Sequence, residues 1–265
     1  MSWLRRADDY PYFDNGGQPI GFAHRGGALL EASIGLENTM LAFEAAVALG
    51  FRYVETDVQA TADGVLLALH DKRLDRVSDL AGVVAELPYE QVRKARLAGR
   101  EPIPQLSDVL TAWPDLRLNI DCKSSGAMEP LARLVEEHRA WDRGCLASFS
   151  MRSLGRLRRR VGPRVATSYG KAGIAVLRSM PGERLRRLTV GHSGLAAQVP
   201  VSWVGIKVLT EQLIERAHAL GKHVHAWTID DPVEMHLLLD LGVDGIFTDR
   251  PDILRDVYQA RGIWD

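Results

Sequence analysis

The chain has 265 residues, 46% of them hydrophobic and 25% charged, enough apolar material for one sizeable core but too little length for two well-cored domains with linkers. Lysine plus arginine (33) nearly balances aspartate plus glutamate (34), so no overall field recruits nucleic acid, and any anion preference must be local. Disorder is excluded by composition, and a transmembrane helix by the lack of any run of ~18 uncharged apolar residues.

The stretch from Met1 to Gln18 holds Trp3 and Leu4 but no apolar run of signal-peptide length, so a cytoplasmic protein is expected. Beyond it, short apolar runs alternate with longer stretches of helical period, the pattern of a parallel sheet with crossover helices. The first strand is Ile20–His24, running into Arg25-Gly26-Gly27. Glu37-Asn38-Thr39 then opens a helix over Met40–Leu49, with Asn38 or Thr39 as a natural N-cap. Tyr53–Asp57 is the second strand. Val58 to Leu69, with Ala62-Asp63-Gly64 in its middle, reads as a β-hairpin that returns His70 to the level of Glu55. Residues 71–115 contain Pro88, Pro102 and Pro104 and no long periodic run, so the insertion, about 58–115 with the hairpin, is expected to form a small cap over a barrel mouth.

Five more strands follow, at Leu116–Asp121, Cys145–Phe149, Arg164–Ser168, His223–Thr228 and Gly245–Thr248. A further one is Ala196–Val199 or Trp203–Val208, one of the pair being an excursion. Asp231-Pro232-Val233-Glu234 starts a helix between the last two, with an acceptor at N-cap, proline at N1 and glutamate at N3. The fold class is therefore α/β, a TIM-type (β/α)8 barrel with a β-hairpin and small cap inserted after strand 2, as one domain over residues 1–265. Cys122 and Cys145 have neither zinc nor redox spacing and read as buried thiols.

Chemistry gathers at strand ends. Glu55 and Asp57 lie two apart on a strand and so share a face; held together they need a compensating charge, and hard oxygens suit magnesium, calcium or manganese. Asn119, Asp121 and Lys123 share the next strand's face, with Asp121 as third carboxylate and Lys123 able to meet a phosphoryl oxygen. His24 and His70 at strand ends suit an acid/base pair, and Arg25 a bidentate grip on phosphate. Glu37 and Asn38 stand at a helix N-terminus that favours an anion. Trp227 either lines the pocket or belongs to a core aromatic layer. Arginines 152, 156, 158, 159 and 160 make a basic helix, read as a solvated face or as a weak peripheral contact with anionic lipid.

These residues resemble the glycerophosphodiester phosphodiesterase family, relatives in fold and chemistry of the phosphatidylinositol-specific phospholipases C. The likeness runs from Ala23-His24-Arg25-Gly26 through Glu37-Asn38-Thr39, Glu55-Thr56-Asp57, Thr61-Ala62-Asp63-Gly64, His70-Asp71 and Asn119-Ile120-Asp121-Cys122-Lys123. It continues to Ala226-Trp227-Thr228, Gly242-Val243-Asp244-Gly245-Ile246 and Thr248-Asp249-Arg250-Pro251. The resemblance implies one divalent cation (Mg2+, Ca2+ or Mn2+) held by Glu55, Asp57 and Asp121. It also implies His24 and His70 as acid and base, and Arg25 and Lys123 on the phosphate of a small glycerophosphodiester, cleaved to an alcohol and sn-glycerol 3-phosphate. Leu36 stands where the family usually has proline, and Asp121 where glutamate is common. A lysophospholipase D or sphingomyelinase D-like activity on the same barrel is the rival enzyme reading. A catalytically silent phosphodiester-binding barrel is the non-enzyme one. Nucleic acid is not an expected partner.

Overall fold

Eight parallel strands frame the computed structural model: β1 (Ile20–His24), β2 (Tyr53–Ala60), β3 (Arg117–Cys122), β4 (Gly144–Ala147), β5 (Ala166–Thr167), β6 (Ala196–Pro200), β7 (His223–Trp227) and β8 (Gly245–Thr248). Residues 4–264 are described; Trp3, noted above in the N-terminal stretch, lies outside them with Met1, Ser2 and Asp265. Around the sheet the order is β5-β4-β3-β2-β1-β8-β7-β6, and a parallel bridge from Ser168 to Ala196 joins its two ends. The bridge all but closes a TIM-type barrel and shelters the edge of the two-residue β5.

Each strand leads into a helix: α1 (Met40–Ala48), α2 (Leu106–Ala112), α3 (Met128–Glu137), α4 (Met151–Val161), α5 (Lys171–Ser179), α6 (Glu211–His218), α7 (Pro232–Asp240) and α8 (Pro251–Ala260). Thr39, Ser150, Thr210 and Asp231 start four of them, each side chain accepting a backbone N–H three residues on. That satisfies a donor the helix itself leaves orphaned. The capping at α1 is by Thr39, which frees Asn38 for other work.

Three expectations are corrected. The segment taken as aperiodic cap contains α2, which buries Leu106, Val109 and Leu110 on one face; a seven-residue helix is too short for its period to stand out. None of the rest of that segment, residues 71–115, lines the cavity at the barrel mouth. It buries Leu74, Val84, Val92, Ala95, Leu97 and Ile103 against Leu36, Leu67 and Leu69, so these apolar side chains draw it to the flank beside the hairpin. The hairpin strand Leu66–Ala68 pairs Val58 with Ala68 and Ala60 with Leu66, a register that carries His70 to the level of Thr56, one residue beyond Glu55. Of the two candidates for strand six, Ala196–Pro200 is in the barrel, and the other is a short antiparallel hairpin joining Ser202–Trp203 to Ile206–Lys207.

Aromatic side chains plug the N-terminal end of the barrel. Phe22 stacks on Phe247 at 4.2 Å, Tyr53 and Tyr12 meet edge to face, and His225 is fully buried among them. The 3-10 turns Ala7–Asp9 and Pro11–Phe13 cover that end, tied by Ala7 N–H to the Gly221 carbonyl. Filling this half leaves the C-terminal mouth for chemistry, where barrel sites lie.

Candidate active site

At that mouth is a cavity of about 480 Å³ lined by His24, Arg25, Glu55, Asp57, His70, Asn119, Asp121, Lys123 and Trp227 among others. Strand register assembles it. His24 is level with Glu55 across β1 and β2, while Glu55 is level with Asn119 and Asp57 with Asp121 across β2 and β3. Because side chains alternate along a strand, both carboxylates of β2 and both polar groups of β3 enter the interior together.

The two imidazoles are held alike. His24 Nδ1 hydrogen bonds Asp249 Oδ1 at 2.7 Å, and His70 Nδ1 hydrogen bonds Asp71 Oδ1 at 2.7 Å. Each ring is thereby oriented with its Nε2 free for exchange, an arrangement that fixes the tautomer. His24 Nε2 lies 3.7 Å from Glu55. Burial alone would push the His24 imidazolium down, but Glu55 and Asp249 outweigh it and the net shift is upward. Asp71 is pulled down to about 2, chiefly by the Arg76 guanidinium and then by His70.

The carboxylates are unequal. Burial and the neighbouring Asp57 push Glu55 up to about 8, against the pull of His24, Lys123 and Arg25. Asp57 is lowered: burial opposes ionisation, but Lys123 at 2.8 Å and Arg25 at 3.1 Å prevail. Asp121 is raised by burial even with Lys123 Nζ at 2.6 Å. Lys123, bridging the two aspartates, rises to about 12, since their charges outweigh its own desolvation.

Behind this layer stands its support. Arg25 N–H donates to Glu55 Oε2, and Arg25 and Arg76 both donate to Glu37 Oε1, at 3.2 and 2.6 Å. Asn38 donates to Asp57 Oδ2 and accepts from Thr56. Neither Glu37 nor Asn38 lines the cavity. Arg25 and Asn38 both have positive φ, 52° and 60°, uncommon for residues other than glycine and a mark of functional loops. Gly26 and Gly27 make the turn possible: a Cβ at Gly26 would sit 2.8 Å from the Ala42 backbone, and one at Gly27 2.6 Å from Pro251.

Thus His24, His70, Arg25, Lys123, Glu55, Asp57 and Asp121 are brought to one cavity, Trp227 forms part of its wall, and Glu37 and Asn38 support it. The three carboxylates do not close on a common point, because Lys123 stands between two of them; among the described residues no three His, Cys, Asp or Glu side chains are gathered as a metal site. The donor set nevertheless fits a hard divalent cation. Asp121 Oδ1 is buried without a hydrogen-bond partner, and Glu55 is buried beside a like charge, the situation a cation relieves.

Sequence reasoning missed Asp249, which reaches His24 only when β8 pairs with β1. It also missed Gln198, which donates to Asn119 at 2.6 Å, and the wall of Phe149, Lys171 and Trp203. Position at the C-terminal end of a strand was the available signal for Asp249. The basic helix is not wholly solvated: Arg158 turns inward to Thr167 and the Ser168 carbonyl. Trp227 serves both readings: it meets Phe149 edge to face in the cavity wall and packs against the aromatic core cluster that holds Phe22, Tyr53 and Phe247.

A β/α barrel whose mouth joins two carboxylate-held imidazoles to acidic oxygens and to the cationic Arg25 and Lys123 suits phosphoric diester hydrolysis, and similarity to known proteins assigns the chain to that class of enzyme. The chain belongs to the glycerophosphoryl diester phosphodiesterase family, whose model matches residues 24–253. It is 44% identical to a probable glycerophosphodiester phosphodiesterase 2 from Mycobacterium tuberculosis, over 95% of this chain and 98% of that one. It is 27% identical to a lysophospholipase D from Homo sapiens, over 88% of this chain and 84% of that one. In fold it resembles a putative glycerophosphoryl diester phosphodiesterase from Silicibacter pomeroyi, with a TM-score of 0.80, 22% identity, and 96% and 99% of the two chains covered.

Proposed function

We propose that the protein hydrolyses glycerophosphodiesters to an alcohol and sn-glycerol 3-phosphate, with His24 and His70 as the acid/base pair. The observation that carries this reading is the matched pair of carboxylate-held imidazoles on one cavity that also holds Arg25 and Lys123. One imidazole takes the proton of the nucleophile and the other gives a proton to the leaving alcohol oxygen, as general acid/base catalysis requires. Arg25 and Lys123 hold the non-bridging oxygens, where charge builds as attack proceeds. Glu55, Asp57 and Asp121 would hold a divalent cation, Mg2+, Ca2+ or Mn2+, which when bound supplies Lewis-acid stabilisation of the phosphoryl oxygens. The likeness to the Mycobacterium tuberculosis relative supports the substrate class.

A second reading, lysophospholipase D activity, is favoured by the apolar far wall of Phe149, Ile174, Trp203 and Val208 and by the Homo sapiens relative. An acyl chain would meet this wall, since none of residues 78–104 lines the cavity. The test is turnover of purified protein on a panel of glycerophosphodiesters and lysophospholipids. Preference for the water-soluble diesters supports the first reading, preference for acylated substrates the second, and no turnover of either overturns both.

A further inference from the structure

The loops after β4, β5 and β6 form one flank of the mouth. They belong to a stretch, between Asp142 and Glu211, that holds thirteen lysines and arginines and a single acid, Glu183, in a protein of net charge −1, and of these Lys171, Arg178 and Lys207 stand at the cavity wall or on the hairpin after β6. The same stretch holds seven of the twelve large hydrophobic side chains left exposed among the described residues. Four of these, Phe149, Trp203, Val204 and Ile206, belong to the loops after β4 and β6, and Met151 opens α4 behind them. A surface both basic and apolar is costly in water and suited to neither role alone.

The hairpin joining Ser202–Trp203 to Ile206–Lys207 makes the point sharply. Its two turn residues, Val204 and Gly205, have φ of 48° and 75°, the left-handed pair of a type I′ turn, which asparagine, aspartate or glycine favours at both places. A β-branched valine is strained there. Val204 is also 85% exposed, and Trp203 and Ile206 beside it are each 54% exposed. Neither the turn nor the solvent favours Val204, so the apolar tip is explained by an environment other than water.

We infer that this flank docks on an anionic membrane surface, with Val204 and Ile206 entering the headgroup boundary and Lys207, Lys171 and Arg178 facing the lipid phosphates. Lys207 stands opposite Ser202 at the hairpin's base. Lys171 lies over the Phe149 and Trp203 rings, at 5.4 and 5.6 Å. An apolar tip in a ring of cations is the pattern that binds acidic bilayers, insertion and electrostatics adding together. The two residues at the tip are aliphatic and offer a base no ring to stack on, and the Trp203 and Phe149 rings behind them are already faced by Lys171. Docked in this way, the cavity mouth opens toward the lipid surface. The inference stands apart from the proposed reaction, because membrane binding is read without turnover.

The test is co-sedimentation of the whole protein with vesicles of phosphatidylglycerol and phosphatidylcholine in equal parts, and with phosphatidylcholine alone. Binding to the anionic vesicles, weakened by salt, is expected. Val204→Asn with Ile206→Thr, the first of which suits the turn better, should lower partitioning at least ~10-fold, the worth of withdrawing two aliphatic side chains from an apolar phase. Its circular dichroism and its turnover of a water-soluble glycerophosphodiester should stay at wild-type values. Wild-type protein left in the supernatant, or a double variant that pellets like wild type, overturns the inference. So does a lipid-free dimer in sedimentation velocity that the double variant abolishes, for the flank would then be an interface between copies.

Discussion

Each catalytic imidazole in this account owes its orientation to a carboxylate, Asp249 for His24 and Asp71 for His70. Replacing either histidine by alanine should lower kcat at least ~100-fold with circular dichroism unchanged, the usual size of an acid/base contribution. Asp249→Asn keeps the shape but loses the charge that steadies the protonated ring, so a drop in kcat of ~10-fold or more with little change in KM is expected; wild-type kcat would deny Asp249 its positioning role. Buried His225 has a different consequence. Burial, and then His223, hold it down to about 3 from an ordinary 6.5. Between those values the unfolded chain takes up a proton that the folded chain refuses, so stability falls as pH drops through that window. His225→Leu should flatten the acid limb of urea-melt stability below pH 6.5, and an unchanged slope would contradict this. The histidines, carboxylates and cations of the site were legible in the sequence because each sits at a strand end among residues of like chemistry. Asp249 shares that strand-end position, but its role was not legible, since its partner is 225 residues away and is met only through strand pairing.

At the scale of elements, the strand-end loops do the positioning. The turn after β1 places Arg25 at positive φ and relies on Gly27, whose added Cβ would meet Pro251 at 2.6 Å. Gly27→Ala should therefore shift that turn and lower kcat/KM at least ~10-fold, because small misplacements at a reacting centre are expensive. Steady-state kinetics on the folded variant checks it, and an unaffected kcat/KM would show that the turn tolerates a side chain. Strands read well from sequence because β/α alternation repeats eight times. Two short elements did not. The seven residues of α2 make two turns, too few for a period to declare itself. The hairpin after β6 carries apolar residues like a core strand, and only pairing shows that Trp203 and Ile206 are partners in a separate hairpin and not residues of a barrel strand. The place of the cap was also hidden, since nothing local says that Leu36, Leu67 and Leu69 will gather it to the side.

On the scale of the whole molecule, the barrel divides its labour. The N-terminal end is filled by Phe22, Phe247, Tyr53 and His225, and the C-terminal end gathers charge that a packed core would not admit. With Glu55, Asp57 and Asp121 all ionised, Arg25 and Lys123 leave one negative charge that a divalent cation and a phosphodiester together would balance, and Asp121 keeps a buried oxygen without a partner. The measurement that tests this most directly is release of sn-glycerol 3-phosphate from a glycerophosphodiester by purified protein, before chelation, after it, and after Mg2+ or Ca2+ is restored. The account predicts turnover that chelation abolishes and the added ion recovers. Turnover unmoved by chelation, or none under any of the three conditions, would contradict it.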